Sequence, residues 1–197
     1  MAKLILYAER IFLTLLSASI IWRLAPHVTE HPQLALFLFS ELVGVVLILS
    51  QRRGESSTET LPVVMAFVCT GIGLLVLPEG VQLVSNAVST VMVFAGAAIA
   101  LGAKLSLRRS FGIVPANRGV KRGGLYRFVR HPMYSGYIIN QAGFLLVYFS
   151  AWNVAIYTVA WMAFWYRARE EEKFLSQDPE YRAYAEHVKS RLLPGLV

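Results

Sequence analysis

Six apolar runs, separated by short polar breaks, account for most of the chain: residues 4–25, 33–50, 61–78, 83–104, 134–150 and 152–167. Each approaches the ~20 residues that a helix needs to cross the hydrocarbon of a bilayer, the last two being slightly short. None shows the period-2 alternation of a membrane β-barrel strand. The breaks fall at helix-stopping chemistry. Pro26 and Pro32 flank the first, Arg52 to Ser57 form the second, and Pro78-Glu79-Gly80 form the third. Ser150-Ala151-Trp152-Asn153 is short enough to make a helical hairpin of the last two runs. No internal repeat, long linker or low-complexity tract divides residues 1–197. The pattern therefore predicts one all-α domain, a multispanning membrane helical bundle with about six transmembrane segments. Residues 1–104 supply the N-terminal spans, and 105–197 supply a loop, the hairpin and a C-terminal amphipathic helix.

Composition sharpens this. Of 197 residues, 56% are hydrophobic and 16% charged, against about a quarter charged in soluble domains. The formal charge of +7 would fit a nucleic-acid binder, but little soluble face remains to carry a basic patch, so no nucleic-acid partner is expected. Membrane orientation explains the charge better. With six spans, the termini, the 51–60 loop and the 105–133 loop share one side. Of the 19 Lys and Arg only Arg23 lies near the other, so the shared side is expected to be cytoplasmic. Ser17-Ala18-Ser19 mimics a cleavage site, but the apolar run continues to Leu24, so a retained span is expected. The C-terminal Pro194 to Val197 is no prenylation box. The lone Cys69 lies in an apolar run and is expected to be a packing residue; no Cys/His cluster has metal-ligand spacing, so no metal is expected. Gly71-Ile72-Gly73 lies in an apolar span, where packing of small residues explains it better than a nucleotide loop.

The chemistry gathers in the 105–133 loop, which ends in Tyr126-Arg-Phe-Val-Arg-His-Pro-Met-Tyr134, and in the tail from Arg167 onward. Tail positions Phe174, Leu175, Tyr181, Tyr184 and Val188 form the apolar face of an amphipathic helix interrupted near Asp178-Pro179. Taken singly, such Lys, Arg and Tyr residues are ordinary membrane-edge anchors, and Arg169 and Lys173 are surface charges. Arg167 and Glu171 stand four apart and share a helix face just beyond the last span, where the bland interpretation is a simple intrahelical pair. Pro132 fits the first turn of a helix, whose free N–H groups can meet an oxygen-bearing ligand. Glu41 is a carboxylate inside a span, expected to pair with Asn140, Gln141 or an arginine, or to line a substrate cavity.

Two separated motifs carry a resemblance. Gly124, Tyr126, Arg130, His131, Pro132, Tyr134 and Gly136 fit Gly-x-Tyr-x-x-x-Arg-His-Pro-x-Tyr-x-Gly. After the hairpin, Glu171, Glu172 and Leu175 fit Glu-Glu-x-x-Leu, followed by Tyr181, Tyr184 and Val188 as Tyr-x-x-Tyr-x-x-x-Val. Over about 105–194 the chain resembles the isoprenylcysteine carboxyl methyltransferase family of integral-membrane enzymes, and more widely their phospholipid N-methyltransferase relatives. "SQDPE" stands where the family often has Phe-Gly. The resemblance implies S-adenosyl-L-methionine as methyl donor and a lipophilic acceptor reached from the bilayer, at a pocket on the cytoplasmic membrane edge. By position it implies that Arg118, Gly119, Val120 and Lys121 form a strand-like stretch along the cofactor. Tyr126, Arg130, His131, Pro132, Met133, Tyr134 and Glu171 are further implied contacts. Arg167 and Glu171 are the implied catalytic pair, with Arg167 toward the acceptor; Asn140 and Glu41, inside the spans, are the further candidates for the acceptor side. Two other functions remain open. Membrane sterol reductases have a similar C-terminal region and use NADPH, and a lipid-binding scaffold would need no chemistry.

Overall fold

A computed structural model describes residues 2–29, 33–52, 54–57 and 59–195. Pro32 and Arg53, assigned above to the first two breaks, lie outside the described residues. Seven α-helices dominate: α1 (Ala2–Leu24), α2 (Gln33–Leu49), α3 (Thr60–Gly71), α4 (Asn86–Leu107), α5 (Pro132–Val147), α6 (Ala151–Leu175) and α7 (Pro179–His187). Two-residue strands β1 (Glu55–Ser56) and β2 (Ala116–Asn117) pair antiparallel.

The helices are apolar outside and polar within. Along α1 the buried positions are Glu9, Leu13 and Ser17, whereas Leu4, Ile11, Leu15 and Trp22 are exposed. In α4, Ser89, Gly96, Ala97, Ala100, Ala103 and Lys104 are buried, while Val88, Val91, Phe94 and Leu105 face outward. A soluble protein would reverse this; polar groups facing the bundle and large apolar groups facing out are what a lipid solvent selects. By length and hydropathy, Leu4–Leu24 and Asn86–Ser110 can cross a membrane, and α2 and α3 are shorter apolar helices. The 61–78 run is less regular than its hydropathy implies: α3 stops at Gly71 and a 3₁₀ turn takes over to Leu75.

Loops meet at both ends. At one, Arg52 N–H donates to the Arg109 carbonyl (2.7 Å), Ser57 N–H donates to that of Pro115 (2.9 Å), and β1 pairs with β2. At the other, Val81 and Phe149 exchange backbone hydrogen bonds. There the buried Asn153 side chain donates to the Leu77 and Tyr148 carbonyls (both 2.8 Å) and accepts from Leu77 N–H (3.0 Å). Ser150 caps α6 by accepting from Asn153 N–H (3.2 Å), which makes the expected tight hairpin turn.

The packing of small residues expected at Gly71-Ile72-Gly73 is not there, since Gly73 has open space around it. It occurs instead where α4 crosses α5. A Cβ on Gly136 would lie 2.6 Å from Ala100 N, and one on Gly96 2.5 Å from Asn140 N. Backbones that approach this closely exclude any side chain. The C-terminal segment breaks near Asp178-Pro179 as expected. α6 runs unbroken from the hairpin to Leu175, and the amphipathic part is the separate α7, capped by Asp178 accepting from Glu180 N–H (2.8 Å) with Pro179 in the first turn.

Gly136→Ala is expected to lower stability by about 1–3 kcal/mol through overpacking of the α4–α5 crossing. Gly73→Ala should be nearly neutral. Thermal unfolding of the purified protein in detergent compares the two.

Candidate active site

The loop after α4 does not cross open solvent. Phe111, Ile113 and Val114 pack into a core with Leu13, Ile48 and Ala66, so α1, α2 and α3 hold its first half. Its second half, with Tyr126, packs on Ala103 of α4 and on Tyr181 and Tyr184 of α7. The Tyr184 hydroxyl donates to the Tyr126 carbonyl (2.7 Å). Gly124 turns the chain with φ +62, where a side chain would also strike Ser106 Oγ at 2.2 Å.

Between loop, α6 and α7 lies a cleft of about 490 Å³ lined by Arg118, Gly119, Val120, Lys121, Tyr126, Arg130, His131, Glu171, Tyr181 and Tyr184, among others. An adjoining cavity adds Met133 and Tyr134 and shares Arg118, Tyr126, His131 and Glu171. Ten of the residues named from the sequence for the cofactor thus converge. The eleventh, Pro132, begins α5 but is fully buried and lines neither space. Residues 118–121 are not a strand; β2 ends at Asn117, and the backbone that follows is irregular.

The acceptor-side expectations are redistributed. Asn140 donates to the Val93 carbonyl (3.2 Å), bracing α5 on α4. Among the described residues Glu41 meets neither Asn140, Gln141 nor an arginine. Its carboxylate takes Lys104 Nζ (3.1 Å) and the Ser17 hydroxyl (3.0 Å), and Lys104 Nζ also donates to the Ser40 carbonyl (3.0 Å). Lys104 is therefore a buried intrabundle charge, 2% exposed, and not one of the surface lysines expected to mark the cytoplasmic side. Gln141 accepts from Trp161 Nε1 (2.8 Å). Arg167 lines neither cavity. It is buried behind Tyr134, its guanidinium 5.5 Å from that ring, and Nη2 donates to the Ile113 carbonyl (2.6 Å). Nearly parallel rings of His131, Tyr134 and Phe164 stack from the cleft into the hairpin, with centroids 5.5 and 5.3 Å apart.

The residue that sequence reasoning placed in a motif but not in the site is Glu172. His131 Nε2 donates to it (3.0 Å), Arg191 Nε and Nη2 donate at 3.1 and 2.9 Å, and Arg130 Nε lies 3.2 Å away. Burial alone would raise its carboxyl, but the His131 and Arg191 hydrogen bonds and the Arg130 charge outweigh that and hold it at about 2. Because Glu172 is an acceptor, His131 Nε2 carries a proton toward it, and Nδ1 lies on the Glu171 side, 3.9 Å away. The tail is strapped over the same turn: Arg130 and His131 N–H donate to the Ser190 and Arg191 carbonyls (3.0 and 2.9 Å). Around the cleft, burial raises the phenols of Tyr126 and Tyr181 and pushes Tyr184 up to about 12, so all three are neutral walls at ordinary pH.

Residues 88–177, from early α4 to just past α6, match the Isoprenylcysteine carboxyl methyltransferase (ICMT) family. Over that stretch the chain is similar to this family, in the residues that carry the two motifs. It is also similar, at 33% identity over 108 residues, to protein-S-isoprenylcysteine O-methyltransferase A of Arabidopsis thaliana. That match covers 51% of this chain and 55% of the plant protein, so it spans about half of that relative's length. The family match holds the loop, the histidine-proline turn and the paired glutamates, and stops short of Tyr181 and Tyr184.

The depressed Glu172 group contributes stability that is fully present above its unfolded value near ~4.3 and is lost as pH falls toward about 2. Glu172→Gln is expected to be less stable by about 3 kcal/mol at neutral pH. Its melting temperature should fall less steeply than that of the natural chain between pH 5 and 2, as read by acid titration in detergent.

Proposed function

We propose that the protein is a multi-pass membrane methyltransferase that uses S-adenosyl-L-methionine to esterify the carboxylate of a lipophilic acceptor of the S-prenylcysteine type. The observation that carries this is a pair of unanswered charges one turn apart on α6. Among the described residues, no Arg or Lys lies within salt-bridge distance of Glu171, although it lines the cleft, and no carboxylate lies within that distance of the buried Arg167. Arg167 Nε has no hydrogen-bond partner. The two do not pair with each other, because the Ile113 carbonyl holds the guanidinium.

The cleft fits a cationic, aromatic-bearing cofactor. Glu171 faces it as an unpaired anion, neutral tyrosines form its walls, and the 118–121 backbone supplies polar groups. A 2′-phosphate of NADPH would need a cluster of free cations, but of the three cations lining the cleft Arg118 is engaged by Glu9 and Arg130 by Glu172, which leaves Lys121 alone. This charge pattern favours the methyltransferase over the reductase. S-adenosyl-L-methionine, when bound, supplies a methyl group carried on a sulfonium. Arg167 holds the acceptor carboxylate from the hairpin side, and the His131, Tyr134 and Phe164 stack runs alongside from the cleft into the hairpin. A carboxylate needs no general base, so orientation carries most of the rate.

The topology reading is six spans, with the termini and the 105–133 loop cytoplasmic. Its support is the meeting of the 52–57 segment with the 109–117 segment at one end, and of 77–82 with 148–153 at the other. Odd crossings between these pairs would separate segments that touch.

With labelled methyl donor and an N-acetylated S-prenylcysteine, the protein is expected to form a base-labile methyl ester. Glu171→Gln should weaken donor binding roughly tenfold to a hundredfold by calorimetry. NADPH binding with no measurable donor binding would overturn the assignment. For topology, Glu55→Cys and Arg122→Cys should react with an impermeant thiol reagent from the cytoplasmic side and Glu79→Cys from the other. Opposite labelling of positions 55 and 122 would exclude six spans.

A further inference from the structure

α1 lies outside the family-matched residues and carries no recognised motif, yet it sends a carboxylate to the edge of the cleft. Glu9 is 1% exposed. Its Oε1 accepts from the backbone N–H of Ile113 and from that of Val114 (2.9 Å). Its Oε2 accepts from Gln51 Nε2 (3.3 Å) and Arg118 Nη2 (3.2 Å). The Arg118 guanidinium is further held by Nη1 donating to the Val114 carbonyl (3.3 Å). Arg118 and Glu171 line the same cleft.

We infer that Glu9 is a positioning residue that keeps Arg118 in the cleft wall and thereby leaves Glu171 free for a cationic donor. This rests on the methyl-transfer reading. Two opposite charges in one partly dry cleft attract strongly. Arg118 is the guanidinium within the 118–121 stretch, and the only side-chain carboxylate bonded to it among the described residues is that of Glu9. Without that partner, Arg118 would satisfy its charge on Glu171, in competition with the donor. Glu9 has a second reach. The amide it anchors belongs to Ile113, whose carbonyl holds Arg167. One carboxylate from the N-terminal span thus sets the cation of the cleft wall and the seat of the cation behind it.

A brace that served folding alone would use Glu9 only as an acceptor for the Ile113 and Val114 amides. Glu9→Gln separates the two roles, because its amide oxygen still accepts from those N–H groups while the charge opposing Arg118 is gone. The experiment is a double-mutant cycle in detergent with Arg118→Met, read in two ways. Carbodiimide labelling of carboxyl groups, followed by mass spectrometry, reports Glu171 directly and needs no donor. Calorimetry with S-adenosyl-L-methionine reports donor affinity. Glu9→Gln is expected to reduce labelling of Glu171 severalfold and donor affinity about tenfold. In the Arg118→Met background the same change should alter both by less than twofold. Equal losses in the two backgrounds, or unchanged Glu171 labelling in Glu9→Gln, would overturn the inference and leave Glu9 a brace. A natural chain that binds no donor would refute the methyl-transfer reading, while the labelling cycle would still decide whether Glu9 restrains Arg118.

Discussion

A charge buried in an apolar bundle must meet an opposite charge or a full set of hydrogen bonds, because burying it alone costs several kcal/mol. Three carboxylates impose that constraint here. Glu41 answers Lys104 between α2 and α4, Glu9 answers Arg118 between α1 and the loop, and Glu172 answers Arg130, His131 and Arg191 between α6, the loop end and the tail. Each joins segments distant in sequence, and together they fix the helices relative to the loop. The apolar outer faces can then be uniform, since lipid asks of them only that they be apolar.

The cleft follows from the same rule. Its walls are two arginines already neutralised, Lys121, and tyrosines that burial keeps protonated. What remains among the described residues is Glu171 on the cleft side, with no Arg or Lys in salt-bridge reach and His131 Nδ1 3.9 Å away, and Arg167 on the hairpin side, a turn apart on one helix and without a carboxylate in reach. A donor bearing positive charge and an acceptor bearing negative charge would complete the set. Beside them the nearly parallel rings of His131, Tyr134 and Phe164 run from the cleft into the hairpin.

Much of this was legible in the sequence. Run lengths gave the helices, and the Ser150 to Asn153 break gave the hairpin. The loop and post-hairpin motifs converge as their order implied. Hydropathy could not see that α3 ends at Gly71, because the 3₁₀ turn after it is equally apolar. Spacing did not distinguish Glu171 from Glu172. Adjacent helical residues point about 100° apart, so one faces the cleft and the other the loop end and tail, and only packing decides which. Glu41 was visible as an intramembrane carboxylate, but its partner Lys104 sat at the end of a run and passed for a surface lysine. Glu9 left a usable signal: with Leu13 and Ser17 it makes a buried i, i+4, i+8 row on an otherwise outward-apolar helix. Its partner, more than a hundred residues away, left none.

The central claim is that Arg167 is held unpaired for a carboxylate. It is tested most directly by equilibrium binding of an S-prenylated cysteine and of its methyl ester, to the natural chain and to Arg167→Met. The free acid should bind about tenfold or more tightly than the ester in the natural chain, and the difference should vanish in Arg167→Met. Equal affinities in the natural chain, or a preference for the acid that survives the loss of Arg167, would contradict it.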